Sequence, residues 1–270
     1  MRNFTPLSAL PGTALPGTWR ITNADMADAA GRLAIFAIVF REPQSLKLLG
    51  TGFYLQPKGG FATAAHVAIE ARQRLAAAPG SVGIARTLEN GKTRFVPIWK
   101  FFIHATADVA FGIPRAEFVD DATGQVIKTK VLSLTDTPPE IGAAVSTFAY
   151  PLHRIIRDET TGRVLQLQPD FYDGRLEEYY AERGSSVKLC PPYYRTSIHL
   201  HGGASGGPVF FDGHVFGVAS SSFDGAEDLA FVTPASALLE IRVPTAIAEA
   251  DGEETETLGA LAARGQIALR

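Results

Sequence analysis

Short apolar segments recur along the chain and are separated by turns rich in glycine, proline and aspartate. Positions 33–40 are all apolar, positions 107–113 are apolar except for Asp108 and Gly112, and positions 93–102 alternate partly between apolar and polar residues. These lengths and turns are typical of β-strands, and their close succession predicts an antiparallel barrel or sandwich. Residues 64–78 differ, because their Ala, Glu, Gln, Arg and Leu content favours a helix that the following proline and glycine would end.

The same pattern divides the chain into four parts. Residues 1–30 lack strong periodicity and predict an extended leader ending in a short helix over residues 24–31. Residues 31–125 and 126–245 predict two strand-rich domains, and residues 246–270 form a C-terminal tail.

The second domain is predicted to be the less regular one. Residues 151–190 are polar, and turn signals predict hairpins at residues 160–162 and 173–174. Further on, Thr233 offers a capping side chain and Pro234 fits the first turn of a helix. A short helix is therefore predicted over residues 235–241.

Composition and charge limit the classes of function. The chain is 46% hydrophobic and 20% charged, which is ordinary for a soluble globular protein, and its net charge of −3 offers no attraction to nucleic acid or an anionic membrane. A single cysteine, Cys190, excludes an intramolecular disulfide. Pro6, Pro11 and Pro16 interrupt the region where a signal peptide needs an apolar core, so we expect a cytoplasmic protein.

Glycines concentrate at two places where a strand pattern would not require them. Gly50 and Gly52 stand inside a predicted strand, which indicates a β-bulge or a close approach of another backbone. Four more glycines surround Ser205. Glycine costs up to about 1 kcal/mol relative to alanine in regular structure, so such a cluster indicates a specific backbone requirement.

Ser205 has two interpretations at this point. A nucleophilic serine needs a sharp turn and backbone amides directed at a developing oxyanion, and the glycines permit both. The alternative is a glycine-rich turn, because apolar strand-like residues flank the loop and Asp212 and Gly213 mark a hairpin.

A nucleophilic serine also needs a base, which is usually a histidine oriented by a carboxylate. His66 follows small residues where a strand gives way to a helix, and Asp108 begins an apolar strand, where a buried carboxylate is costly without partners. Taken alone, His66 fits a structural histidine and Asp108 a turn cap. Considered together with Ser205, they fit a catalytic triad that a barrel fold could assemble.

The three segments resemble the signatures of the trypsin-like (chymotrypsin-fold) serine peptidases. They follow in the family's order, as Thr63-Ala64-Ala65-His66, Asp108-Val109-Ala110 and Gly203-Ala204-Ser205-Gly206-Gly207-Pro208. The resemblance covers about residues 31–241, and its end is similar to the bacterial HtrA-like and glutamyl-endopeptidase-like branch, without room for a PDZ domain.

The resemblance implies two antiparallel six-stranded β-barrels with the active site in the crevice between them and a short C-terminal helix. His66 and Asp108 would come from the first barrel and Ser205 from the second, with the Gly203 and Ser205 amides as the oxyanion hole and no cofactor. Ala204 stands where trypsins have an aspartate, so the family's N-terminal activation switch would not operate here.

The resemblance also places the specificity pocket. Its predicted substrate-binding residues are His199, Leu200, Ser220, Ser221, Ser222 and Phe231. None of them is acidic, so trypsin-like cleavage after Arg or Lys is not expected. A competing interpretation makes His199 and His201 a metal pair on one strand face, but a third ligand is not evident and we predict no metal.

The sequence therefore predicts a cofactor-independent serine endopeptidase that acts on proteins or peptides. Two alternatives remain open. One is a binding or scaffold protein of the same fold with an idle triad, and the other is a latent protease that an activating partner protein orders.

Overall fold

The computed structural model describes residues 4–5, 19–24, 29–41, 46–87, 93–115, 129–158, 162–182, 189–200, 202–220, 230–245 and 254–270. The first elements are strand β1 (Phe4–Thr5), strand β2 (Trp19–Ala24) and helix α1 (Ala29–Ala34). The helix predicted over residues 24–31 thus begins later, because Trp19–Ala24 are used as a strand that pairs with a later part of the chain.

The first barrel follows directly and is closed. Its strands are β3 (Ile35–Arg41), β4 (Leu46–Tyr54), β5 (Phe61–Thr63), β6 (Val82–Thr87), β7 (Thr93–Ile103) and β8 (Ala110–Pro114). They pair antiparallel in the order β3-β4-β5-β8-β7-β6, and β6 closes the barrel on β3. Helix α2 (Ala65–Ala77) lies between β5 and β6, as the composition of residues 64–78 predicts.

Aromatic side chains fill this barrel. The Phe36 ring packs 4.5 Å from Tyr54 and 5.3 Å from Phe61, measured between centroids, and Phe61 meets Phe101 edge-on at 5.9 Å. Edge-to-face pairs of this kind add to the free energy gained by burying the rings. Glycines leave room for them, since a Cβ on Gly83 would lie 2.5 Å from the Phe95 ring.

The second barrel is also closed and antiparallel. Its strands are β9 (Ala144–Asp158), β10 (Gly162–Tyr180), β11 (Tyr193–Thr196), β12 (Pro208–Phe211), β13 (His214–Ser220) and β14 (Ala230–Pro234). They run in the order β9-β10-β11-β14-β13-β12, and β12 pairs with β9. The predicted fold class, two six-stranded antiparallel barrels, is therefore confirmed.

Two strands of this barrel are much longer than the sequence indicates. β9 and β10 form one hairpin paired from Gly162↔Asp158 to Arg175↔Ala144, and β2 adds to it in parallel, pairing Trp19 with Arg163. The predicted hairpin at residues 173–174 is wrong. Gly174 lies inside β10, where a Cβ would come 2.7 Å from Ile198 Cγ1, so this glycine permits a close crossing of strands rather than a turn.

The chain ends with helix α3 (Ala235–Leu239), strands β15 (Arg242–Pro244) and β16 (Thr255–Thr257), and helix α4 (Leu258–Ala263). α3 begins directly after Pro234, as predicted, but ends at Leu239 rather than at residue 241. The predicted Thr233 cap is wrong, because Pro234 is the N-cap residue and the Thr233 hydroxyl lies 3.0 Å from Ser220 Oγ instead. The last residues return to the segment between the barrels, where Leu134 N–H donates to Ala268 O at 2.8 Å. No helix among the described residues is long and apolar enough to cross a membrane.

Candidate active site

His66 and Asp108 form a close pair in the first barrel. His66 Nδ1 lies 2.8 Å from Asp108 Oδ2 and 3.1 Å from Oδ1, and the backbone N–H of His66 donates to Oδ1 at 2.9 Å. A carboxylate only accepts hydrogen bonds, so in the neutral ring Nδ1 carries the proton and Nε2 keeps its lone pair. The Asp108 side chain is 10% exposed and that of His66 is 42% exposed, which leaves the ring accessible to a reactant.

Strand pairing explains why these two residues meet. β5 and β8 are antiparallel neighbours, and Thr63 at the end of β5 pairs with Ala110 at the start of β8. The chain leaves β5 into α2 at the same barrel edge where it enters β8 from Asp108. His66 is the second residue of α2, so a carboxylate two residues before β8 reaches its ring and its amide.

His104 shapes the turn that carries Asp108. The ring atom Nδ1 accepts hydrogen bonds from the backbone N–H of Ala107 at 2.8 Å and of Thr106 at 3.2 Å. The backbone N–H of His104 donates to Val109 O at 3.0 Å. Nδ1 is therefore unprotonated, and the proton on Nε2 faces Glu240 Oε2 at 3.3 Å.

Ser205 lies in a loop of the second barrel whose backbone requires glycine. Gly203 has φ +97° and Gly206 φ +88°, a region that residues with a side chain rarely adopt. The loop is held by hydrogen bonds from Gly206 N–H to Ala219 O at 2.7 Å and from Gly207 N–H to Ala204 O at 3.0 Å. The predicted hairpin at Asp212 and Gly213 is present between β12 and β13, so the glycine-rich loop around Ser205 precedes that turn and is not part of it.

The loop presses against the first barrel beside His66. A Cβ on Gly206 would lie 2.9 Å from Ala64 N and closer still to Thr63 Oγ1, and a Cβ on Gly50 would lie 2.9 Å from Ser205 O. The close backbone approach predicted for Gly50 is confirmed. β4 also carries a register shift opposite Ile38 and Val39, which is the predicted bulge.

Ser205, the predicted nucleophile, and His66, the predicted base, are not joined by a direct hydrogen bond. Ser205 is 8% exposed, and no hydrogen bond among the described residues joins its side chain to His66. Catalytic hydrogen bonds are often long in ligand-free enzymes, so this geometry is compatible with catalysis.

The predicted oxyanion donors are available. Within the described part of the chain, the N–H groups of Gly203 and Ser205 have no acceptor. A substituent on Gly203 would collide with Leu48 Cδ2 and Tyr150 O, each 2.7 Å from the Cβ position. The triad and the oxyanion hole stay predictions that this arrangement supports.

The predicted pocket residues occupy different environments. His199 is exposed, whereas Leu200 is buried among the apolar side chains of the second barrel. Ser220 is fully buried with its hydroxyl 3.0 Å from Thr233 Oγ1, and Phe231 packs edge-on against Tyr193. Ser221 and Ser222 lie outside the described residues, so the pocket stays a prediction.

The interpretation of His199 and His201 as a metal pair receives no support from the described residues. The described residues contain no group of three or more His, Cys, Asp or Glu side chains arranged to hold a metal ion, and His201 is outside them.

Sequence reasoning missed two residues of the site, His104 and Thr51. His104 is one of six histidines without a recognisable motif of its own. Thr51 contacts the nucleophile loop from β4, and its signal was its place between Gly50 and Gly52.

Comparison with known families identifies the class. A family profile described as "Trypsin-like peptidase domain" matches residues 50–218, more than half of the chain. The chain therefore belongs to the trypsin-like serine peptidase family, whose members cleave proteins or peptides. No curated protein matches it.

Solved structures show the same fold. The Rv3671c protease of M. tuberculosis in its active form is 19% identical, with a TM-score of 0.52 and 86% of each chain covered. Deg5 is 16% identical with a TM-score of 0.54, covering 77% of this chain and 86% of its own. Human heparin binding protein is 14% identical with a TM-score of 0.54, covering 79% of this chain and 91% of its own.

Proposed function

We propose that the chain is a serine endopeptidase that hydrolyses internal peptide bonds through Ser205, His66 and Asp108. The observation that carries this proposal is the His66–Asp108 pair, because it leaves Nε2 as a base beside a glycine-built loop that contains a serine. Family membership makes proteins or peptides the substrate class.

The chemistry follows from these roles. Ser205 Oγ attacks the peptide carbonyl carbon while His66 Nε2 takes the hydroxyl proton, and Asp108 stabilises the imidazolium. The carbonyl oxygen becomes negative and accepts hydrogen bonds from the N–H groups of Gly203 and Ser205, each worth about 3–4 kcal/mol. His66 then protonates the leaving amine, the C–N bond breaks, and water activated by His66 hydrolyses the acyl-enzyme.

A fluorophosphonate probe tests the nucleophile. The folded wild type should be labelled, Ser205→Ala should not, and Ser236→Ala should label normally because Ser236 is an exposed serine of α3. Equal labelling of Ser205→Ala would refute the assignment. Cleavage of peptides blocked at both ends would establish endopeptidase action, and cleavage restricted to free-ended peptides would contradict it.

A second candidate is a binding protein with an idle triad. The missing hydrogen bond between Ser205 and His66 favours it, and the fold also occurs in a protein described as heparin binding. A folded wild type that the probe never labels would support this candidate. Activity that appears only after addition of another protein would instead support a latent protease with an activating partner.

A further inference from the structure

Thr51 is completely buried where the first barrel meets the nucleophile loop. We propose that Thr51 is a positioning residue that fixes the oxyanion loop of Ser205 from the opposite barrel. This inference rests on the proposed peptidase function, because positioning matters only if the loop performs catalysis.

The Thr51 hydroxyl uses its hydrogen-bonding capacity across the two barrels. Oγ1 donates to Gly203 O at 2.8 Å and accepts from Tyr150 N–H at 3.0 Å. A hydroxyl has one proton, so the bond to Gly203 fixes its direction. One buried hydroxyl therefore links β4, the β9 strand and the nucleophile loop.

The backbone of Thr51 makes two more cross-connections. Its N–H donates to Ser205 O at 2.8 Å, and its carbonyl accepts from Thr63 Oγ1 at 2.7 Å. Thr63 ends the strand that leads to His66. The residue is thus bonded both to the nucleophile loop and to the strand that places the base.

These bonds constrain the peptide that carries the catalytic amide. The Ala204–Ser205 peptide lies between Gly203 O and Ser205 O, which Thr51 holds, and its own carbonyl accepts from Gly207 N–H. With these three carbonyl groups hydrogen-bonded, the peptide cannot rotate freely. The orientation of the Ser205 N–H, the proposed oxyanion donor, is thereby restricted. Gly203 has little intrinsic preference for its left-handed conformation, so loss of the hydroxyl would free the peptides on either side of it to rotate.

The competing explanation is that Thr51 only satisfies buried polar groups. Such a role would cost stability and leave the turnover number unchanged. Thr129 provides a matched control, because its buried hydroxyl donates to Gln56 O at 3.0 Å outside the loop contacts described above.

The test compares Thr51→Val, Thr51→Ser and Thr129→Val in the full chain, using an end-blocked peptide substrate and the fluorophosphonate labelling rate. We expect Thr51→Val to lower kcat by roughly 10–10³-fold with little change in KM, because a transition-state interaction is lost. Thr51→Ser should stay within about threefold of wild type, since the hydroxyl remains. Thr129→Val should lose stability but keep kcat.

A folded Thr51→Val variant with the kcat of the wild type overturns the inference. A tenfold loss of kcat in Thr51→Ser at unchanged stability also overturns it, and this second result can be obtained even if Thr51→Val does not fold. If the wild type is never labelled, the proposed function fails separately. Amide exchange in a Ser205→Ala background then still tests the anchor: Thr51→Val should speed exchange across residues 203–207, and unchanged exchange overturns it.

Discussion

The two barrels have the same number of strands but position catalytic groups in different ways. In the first barrel, neighbouring strands bring His66 and Asp108 together, and three close contacts join the two residues. In the second barrel, Ser205 is held by its own loop and by contacts with the first barrel. The geometry of the His66–Asp108 pair is therefore local, whereas the placement of Ser205, the proposed nucleophile, relative to His66 depends on how the barrels pack.

The barrels also differ outside the site. The longest strand of the first barrel has 11 residues, while β9 and β10 have 15 and 19 and pair with the N-terminal β2. The larger apolar cluster runs from the first barrel to the C-terminal helices, and the smaller one is confined to the second barrel. The first barrel thus has strands of more similar length, whereas the second barrel carries the extended β9–β10 hairpin and the added strand β2.

The largest effect should come from removing either partner of the nucleophile–base pair. Ser205→Ala and His66→Ala should each lower kcat by roughly 10⁶-fold, and the double variant should be no worse, because residues of one catalytic unit are not additive. Steady-state kinetics measures this. Additive losses at unchanged unfolding midpoints would show that the two barrels act independently.

The packing between the barrels can be broken at Gly206. Gly206→Ala would force a left-handed φ on alanine and drive its Cβ into Thr63 and Thr51, so we expect at least a hundredfold loss of kcat, by analogy with removal of an oxyanion donor. Gly213→Ala is the control, because Gly213 has φ +77° with nothing within 4 Å of its Cβ position. It should cost about 1–2 kcal/mol of stability and retain activity. Equal effects in both variants would contradict the packing argument.

Core truncation compares the barrels as scaffolds. Phe61→Ala removes a fully buried ring that contacts Phe36 and Phe101 in the first barrel. Phe216→Ala removes a buried ring that packs against Tyr194 in the smaller apolar cluster. Both should lower the free energy of unfolding by about 3–5 kcal/mol, with Phe61→Ala the larger loss. Denaturant unfolding measures this, and exposed Phe171→Ala should change little. A smaller loss for Phe61→Ala would contradict the ranking.

The smallest effect on catalysis should come from the N-terminal strand. Deleting residues 1–24 removes β2 and should speed amide exchange in Arg163–Leu167, because those residues lose one of their two strand partners and keep only β9. Deleting residues 1–17 keeps β2 and serves as control. Activity should stay within about threefold in both, since the described strand pairings of β2 are with β1 and β10, and neither strand contains a predicted catalytic residue. Unchanged exchange after the longer deletion would contradict the pairing.

Local signals predicted much of this molecule. Composition predicted α2, Pro234 predicted the start of α3 although Thr233 does not cap it, and the three motifs predicted His66, Asp108 and Ser205 as one site. The long hairpin was missed because most residues from Asp170 to Tyr180 of β10 are at least partly exposed whichever face they occupy, so they lack the alternation that marks a half-buried strand. Thr51 stands between two glycines that indicate a close approach, but its role was missed because its partners Gly203 and Ser205 lie 152 and 154 residues away in sequence, and no local pattern names them.

The parallel pairing of β2 with β10 has a consequence for how copies of this protein meet. A hairpin that extends beyond a barrel exposes a row of backbone N–H and C=O groups, and such an edge is a template for another chain. β2 occupies that edge over Arg163–Leu167. The N-terminal strand therefore takes the place on β10 that a strand from another copy could otherwise occupy, a competition that concerns association between copies rather than catalysis.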